Sequence, residues 1–279
     1  MGHILKPINF VLVACHGKMY LRQKKCENHW RKKLDTTNTH PMTGMNGYSD
    51  QIKLYDNGMV INDDSFRLFR NMPNNAVSLV LTDIPYGVVN RKNGLRVYDK
   101  GIADVVDFDM DDLLDELTRV CSGTIYVFCS TEQVSEIRGG FVKRGLSTRL
   151  GIWEKTNPPP VHGQRMWLSG VETCVFARKS KAFFAEHCKN SVWRYPCGRS
   201  KRHPTEKPLR LFEYLMTVSS RPGDWVFDPF CGSGTTAEAA MIHGRKFLCV
   251  EKDRNYFDVI NKRLEKYTAK TGKTIIVND

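Results

Sequence analysis

The chain has 279 residues, 41% of them apolar and 26% charged, a balance that supports a sizeable folded core and excludes a disordered chain. Forty-two Lys and Arg against 30 Asp and Glu leave a net charge of +12, which suits a polyanionic partner. No stretch reaches the ~20 apolar residues of a membrane span. The apolar start at residues 8–15 is followed by a basic run rather than a cleavage site, and nine cysteines lie scattered, several in apolar segments, so a cytoplasmic compartment with reduced thiols is expected.

Residues 1–50 are basic and turn-rich and read as an appendage, partly disordered. Cys15, His16, Cys26 and His29 lack the paired spacing of a zinc finger, so no metal is expected there. From Met59 the pattern becomes regular. A short strand over 59–62 leads into Asp63 and Asp64, and the apolar spacing of Phe66, Leu68 and Phe69 predicts a helix over 65–72. A buried strand over 77–82 runs directly into Asp83-Ile84-Pro85-Tyr86. Next come a helix over 110–120, a strand over 124–129, a helix over 133–144 and a strand over 146–154. A proline turn at 158–160, a strand over 172–177 and a helix over 209–219 follow. The strand 225–227 enters Asp228-Pro-Phe-Cys-Gly-Ser-Gly234, then a helix over 235–243, a strand over 246–250 ending at Glu251, and a closing helix over 256–270. Continuous apolar strands alternating with helices predict an α/β domain over 51–279, built on a mostly parallel, doubly wound sheet.

In such a sheet ligands bind beyond the carboxyl ends of the strands, and two of those ends are unusual. At the first, Gly232 and Gly234 permit close backbone approach, and Glu251 follows about 20 residues on, where an acid can grip ribose hydroxyls. No Gly-Lys-Ser/Thr follows, which excludes a phosphate-binding P-loop. A nucleoside-bearing cofactor is expected. At the second, Asp83 and the carbonyl of Ile84, held by the rigid Pro85, form a pair of acceptors. Two acceptors on the N–H groups of an exocyclic amine pull its nitrogen toward tetrahedral geometry, and Tyr86 offers a flat face for an extruded base.

Together these strand ends resemble the amino-methyltransferases of DNA that use S-adenosylmethionine and modify adenine N6 or cytosine N4. Their active-site pattern Asp/Asn/Ser-Pro-Pro-aromatic reads here Asp83-Ile84-Pro85-Tyr86, with Ile at the first proline, and their Asp-x-Phe-x-Gly-x-Gly motif matches Asp228, Phe230, Gly232 and Gly234. His203-Pro-Thr-Glu-Lys-Pro208 is similar to the element that holds the methionine end of the cofactor, and Trp153–Pro158 to the segment that walls the base pocket. The resemblance implies a seven-stranded, Rossmann-like methyltransferase sheet, circularly permuted as in the β group because the catalytic motif precedes the cofactor motif. That order argues against the glutamine and ribosomal-RNA relatives.

The resemblance also implies a role for individual residues. Asp83, Ile84, Pro85 and Tyr86 are catalytic. Asp64, His203, Thr205, Lys207, Asp228, Phe230, Gly232, Ser233, Gly234 and Glu251 bind S-adenosyl-L-methionine. DNA is the partner, and the target-recognition segment shrinks to a basic and aromatic insert at about 179–202. Arg91 and Lys92 after the active site, with Arg194, Arg199, Lys201 and Arg202 in the insert, are the candidate phosphate contacts. The reaction expected is methylation of adenine N6; cytosine N4, an RNA amine, and a catalytically silent nucleic-acid-binding subunit stay open on the sequence.

Overall fold

The structure is a computed structural model that describes residues 10–15, 18–23, 51–86, 106–160, 163–198 and 206–271. The strands are β1 (Phe10–Cys15), β2 (Lys18–Gln23), β3 (Ile52–Tyr55), β4 (Gly58–Ile61), β5 (Val77–Asp83), β6 (Cys121–Cys129), β7 (Ser147–Lys155), β8 (Val171–Arg178), β9 (Val192–Tyr195), β10 (Trp225–Asp228) and β11 (Lys246–Val250). The helices are α1 (Ser65–Phe69), α2 (Met110–Val120), α3 (Val134–Lys143), α4 (Leu209–Ser219), α5 (Thr235–Ile242) and α6 (Arg254–Thr271).

Among the described residues the main sheet has nine strands in the order β3-β4-β11-β10-β5-β6-β8-β7-β9, two more than the seven implied. Both additions are four-residue edge strands. β3 folds back antiparallel on β4 through a tight turn that pairs Tyr55 with Gly58. β9 lies parallel to β7 and arises from the insert segment. Its Trp193 is buried against β7, where a Cβ on Gly151 would sit 2.3 Å from the indole. A separate hairpin, β1 with β2, occupies part of the amino-terminal stretch to which the sequence reading gave no element. α1 ends at Phe69, short of the expected Met72.

The five strands β4, β11, β10, β5 and β6 are mutually parallel, and β8 runs antiparallel between β6 and β7. Side chains on successive residues of β5 go to opposite faces, as a pleated strand requires. Val80 joins Leu68, Phe69, Leu113, Leu114, Leu117, Ile137 and Phe141 from α1, α2 and α3. Leu79 and Leu81 join Leu211, Phe212, Leu215, Ala237, Ala240, Phe257, Ile260 and Leu264 from α4, α5 and α6. Both faces are therefore covered, which is why the strands read as unbroken apolar runs. Cys121, Cys129, Cys174, Cys231 and Cys249 are buried free thiols within this core.

The connections give the sheet a reversal point. From β5 the chain winds through α2 to β6 on one side; from β10 it winds through α5 to β11 on the other. The crevice between the carboxyl ends of β5 and β10 is thus the topological switch point, where ligands of open α/β sheets bind. Among the described residues no helix is long and apolar enough to cross a membrane.

Candidate active site

β5 ends at Asp83, and the chain leaves the sheet along a braced path. The Ile84 amide donates to the Phe128 carbonyl at 3.1 Å, and the Ile84 side chain is buried. The Pro85 carbonyl accepts from Gln133 Nε2 at 3.1 Å, and Gln133 is itself oriented by the Ser130 amide at 3.0 Å. Two backbone positions are therefore fixed around Asp83 before any ligand arrives.

Among the described residues, Asp83 sits in a cluster of five polar side chains. Lys207, only 4% exposed, forms an ion pair with Asp83 Oδ2, a second with Glu172 Oε2 at 3.0 Å, and a hydrogen bond to Tyr86 Oη at 3.1 Å. The Tyr86 hydroxyl donates to Asp83 Oδ1 at 2.9 Å and lies 3.3 Å from Glu172 Oε2. Glu172 Oε1 pairs with Lys155 at 2.9 Å. Two ammonium groups thus balance two carboxylates. The Lys207 charge also lies over the Tyr86 ring at 5.3 Å and the Phe128 ring at 5.7 Å, which lowers the cost of burying it.

Burial pushes the Asp83 carboxyl above its ordinary pKa, with Lys207 opposing and Glu172 adding to the rise. Burial, then Asp83 and Glu172, lift the Tyr86 phenol well above its usual value, so it stays a neutral donor. Burial works against the Lys207 charge, but the two carboxylates outweigh it and hold the ammonium protonated. Glu172 shows the converse: burial raises it, yet Lys207 and Lys155 prevail and its pKa falls.

Beside this cluster, β10 runs into the glycine loop. Asp228 is buried beneath it, accepting from Thr82 Oγ1 at 2.7 Å, from Thr236 Oγ1 at 2.5 Å and from the Phe230 amide at 3.1 Å. One carboxylate therefore ties β5, the loop and α5 together, and burial raises its pKa to about 6 against the pull of those hydrogen bonds. Gly232 at φ 53° and Gly234 at φ 82° turn the chain through the left-handed region into α5. A Cβ on Gly234 would lie 2.8 Å from Ile260.

Glu251, just past β11, closes the far side: its oxygens accept from the Gly232 amide at 2.8 Å and the Asp253 amide at 2.9 Å. Burial raises its pKa to about 7. Arg263 of α6 reaches under the loop to the Ser233 carbonyl at 3.0 Å and to Glu206 at 2.9 Å. Phe230 and Phe108 lie 5.3 Å apart, and Phe108 lies 5.9 Å from Phe66 of α1, the helix capped by the Asp64 carboxylate, which also pairs with Lys252 at 3.2 Å.

A family profile described as DNA methylase, covering N6 and N4 enzymes, matches residues 77–262, which takes in both strand ends. The chain belongs to the N6/N4 DNA methylase family. Among relatives of this methylase, the Type II methyltransferase M.HinfI of Haemophilus influenzae is 30% identical over 247 residues, covering 74% of this chain and 68% of that protein. The Type II methyltransferase M2.LlaDCHI of Lactococcus lactis subsp. cremoris is 28% identical over 243 residues, 76% of this chain and 90% of its own. The fold is shared with the M1.HpyAVI complex with S-adenosylmethionine, at a TM-score of 0.58, 24% identity, and coverage of 73% of this chain and 98% of that one. It is shared also with the cytosine-N4-specific PvuII DNA methyltransferase, at a TM-score of 0.58, 17% identity, and coverage of 80% and 96%.

The methylase gathers Asp83, Ile84, Pro85 and Tyr86 at one side of the switch point and Phe230, Gly232, Ser233, Gly234 and Glu251 at the other. Three residues stand differently from the sequence reading. Lys207, expected at the methionine end of a cofactor, commits its ammonium to Asp83, Glu172 and Tyr86. Asp228 has both oxygens engaged inside the protein, so it shapes the loop from below. Trp153, expected to wall a base pocket, is buried with its indole N–H on the Tyr195 carbonyl at 2.8 Å; Lys155, two residues on, is the residue of β7 that reaches the cluster.

Arg194 projects from β9 with 73% of its side chain exposed and pairs with Glu154 at 2.9 Å. His203, Thr205, Arg91, Lys92, Arg199, Lys201 and Arg202 lie outside the described residues. Among the described residues no three His, Cys, Asp or Glu side chains group as metal ligands. Sequence reasoning missed Glu172 and Arg263, and singled out Lys155 only as part of the Trp153–Pro158 segment. For Glu172 a signal existed: it is the one charged residue in the otherwise apolar or small run 171–177.

Proposed function

We propose that this DNA methylase transfers a methyl group from S-adenosylmethionine to the N6 amine of an adenine extruded from duplex DNA. The observation that carries the reading is the pairing of two unlike strand ends across one switch point. The acceptor Asp83 and the glycine loop sit on neighbouring strands, linked by the Thr82–Asp228 hydrogen bond at 2.7 Å.

The glycine-loop side fits such a cofactor. Gly232 and Gly234 leave the backbone bare, the ionisable Glu251 carboxylate stands at the adjoining strand end, and the Phe108–Phe230 pair offers an aromatic wall. Gly232, Ser233, Gly234, Glu251 and Phe230 would hold it, with Asp228 fixing the loop from below and Asp64 capping α1; bound there, it supplies an electrophilic methyl group.

The rest is the work of the chain's own side chains. Asp83 accepts an N–H of the target amine, drawing its lone pair out of conjugation with the base, and the Ile84 carbonyl takes the second N–H. Tyr86 presents its ring to the extruded base while its hydroxyl holds Asp83 in place. Asp83 keeps about a quarter of its side chain exposed, 24%.

Adenine is favoured over cytosine by the Asp at the first motif position, which within the resembling enzymes accompanies adenine more often than Ser does. Incubating duplex DNA and, in parallel, RNA with the enzyme and labelled S-adenosylmethionine, then digesting to nucleosides and identifying the product by mass, tests the reading. N6-methyl-2′-deoxyadenosine from the native enzyme and none from Asp83→Ala, with cofactor binding retained, is the expected result. N4-methylcytosine as the sole product would overturn the choice of base, and transfer to RNA alone would overturn the choice of polymer.

A further inference from the structure

Lys207 offers three N–H bonds and uses all three, on Asp83 Oδ2, Glu172 Oε2 at 3.0 Å and Tyr86 Oη at 3.1 Å. At 4% exposure, water is not at hand to take any of them over. Tyr86 has a single hydrogen and two carboxylates within reach, Asp83 Oδ1 at 2.9 Å and Glu172 Oε2 at 3.3 Å. At rest, therefore, each oxygen of Asp83 already carries a strong donor. An incoming amine has to compete with a buried ammonium and a phenol for the same carboxylate.

We propose that Glu172 is a positioning residue that takes over the Tyr86 hydroxyl, and a larger share of Lys207, as the target amine docks on Asp83. This inference rests on the reading of Asp83 as the acceptor of that amine. Glu172 is built for the exchange: Lys155 holds its other oxygen at 2.9 Å, so Oε2 stays aimed at Tyr86 and Lys207. The Tyr86 hydrogen needs only to rotate about its C–O bond to change partners. No proton leaves its heavy atom and no charge is created, so the cluster stays balanced at two cations and two anions. A neutral residue of the same shape at 172 keeps one acceptor oxygen but loses the charge, so Lys207 and Tyr86 would bear more heavily on Asp83.

Among the described residues the groups facing Asp83 are few enough to assign the pH response. Lys207 approaches from the segment before α4, Glu172 and Cys174 from β8, Cys129 from β6, Asp228 from β10 and Tyr86 from the same loop. Cys129 and Cys174 are neutral because burial lifts both thiols. Glu172 in turn faces Lys155 and Cys197. Removing the Glu172 charge deletes a like charge next to Asp83 and concentrates Lys207 upon it. Both changes stabilise the Asp83 carboxylate, so it stays ionised to lower pH while becoming a poorer acceptor for the amine.

The test is Glu172→Gln in the full-length enzyme. We expect kcat to fall at least tenfold, KM for S-adenosylmethionine to stay within twofold, and the acid limb of the kcat–pH profile to move to lower pH. Glu172→Asp should return the limb to its native position by restoring the charge, even if a shorter side chain leaves kcat partly reduced. Carbon-13 titration of the Asp83 carboxyl without DNA supplies a readout independent of turnover, and its pKa should drop in Glu172→Gln. Native kcat in Glu172→Gln would overturn the proposal. So would a lowered kcat with the acid limb and the Asp83 titration both unmoved, which would mark a merely structural role. If native enzyme transfers no methyl to any DNA, the assignment of Asp83 fails instead, while the carboxyl titration still decides whether Glu172 governs it.

Discussion

Glu251 should make cofactor affinity depend on pH in a way that can be worked out beforehand. Its pKa in the free protein is raised to about 7 from 4.5, chiefly by burial. Ribose hydroxyls donating to that carboxylate would favour its ionised form and lower the pKa in the complex, so binding should release a proton. With a free pKa near 7, only about one copy in eleven is ionised at pH 6, and the apparent Kd should be roughly tenfold weaker than its high-pH limit, about 1.4 kcal/mol. At pH 8 the deficit shrinks to about 10%.

The same shift acts on folding. A carboxyl whose folded pKa is raised stabilises the native state fully below the unfolded value of 4.5 and loses that contribution as pH climbs through 7. Asp228, raised to about 6, adds to that loss in the same direction. Calorimetric titration with S-adenosylmethionine at pH 6, 7 and 8, in two buffers of different ionisation enthalpy, measures both Kd and protons released. Glu251→Gln should bind more weakly and with a Kd that no longer changes across this range. A Kd independent of pH in the native protein, or uptake of protons on binding, would refute the reasoning.

Gly234→Ala combines a φ of 82° with a Cβ 2.8 Å from Ile260, whereas Gly145→Ala meets a similar φ of 78° in open space. Thermal unfolding should show about 1 kcal/mol lost at Gly145 and ~2–3 kcal/mol at Gly234, and only the latter should weaken cofactor binding; equal losses would remove the steric contact from the account. Duplex affinity should fall steeply with salt, as expected of a chain with net charge +12, and Arg194→Glu should weaken it while lowering the salt slope by about one. Native affinity and slope in that variant would place the DNA contact away from β9.

Much of this architecture was legible because local pattern and tertiary environment agree. α2 and α4 begin and end where the sequence pattern places them, at Met110–Val120 and at Leu209–Ser219 directly after Pro208. Strands covered on both faces announce themselves as apolar runs, and the strand-to-loop junctions at Asp83 and Asp228 could be found at their ends. β3 and β9 escaped because four residues at a sheet edge carry little signal of their own; pairing with β4 and β7 makes them strands. The site was half legible. Asp83 and Lys207 stand 124 positions apart and Tyr86 and Glu172 stand 86 apart, separations over which no spacing rule operates. Only the topology brings the start of an antiparallel strand, β8, to the same edge as the end of a parallel one, β5.

Arg263 carries a consequence for how the molecule opens. Its side chain is 2% exposed, and besides Glu206 and the Ser233 carbonyl it meets Ser233 Oγ and Thr235 Oγ1 at 3.2 Å and pairs with Glu238 of α5. Ligand-binding loops are ordinarily among the least protected parts of a protein, free to fluctuate while the core stays shut. Here the glycine loop cannot lift without separating a buried guanidinium from two partly buried carboxylates. The loop and the last helix should therefore exchange their amide hydrogens as one unit, and a ligand that tightens the first will be felt as slower opening of the second.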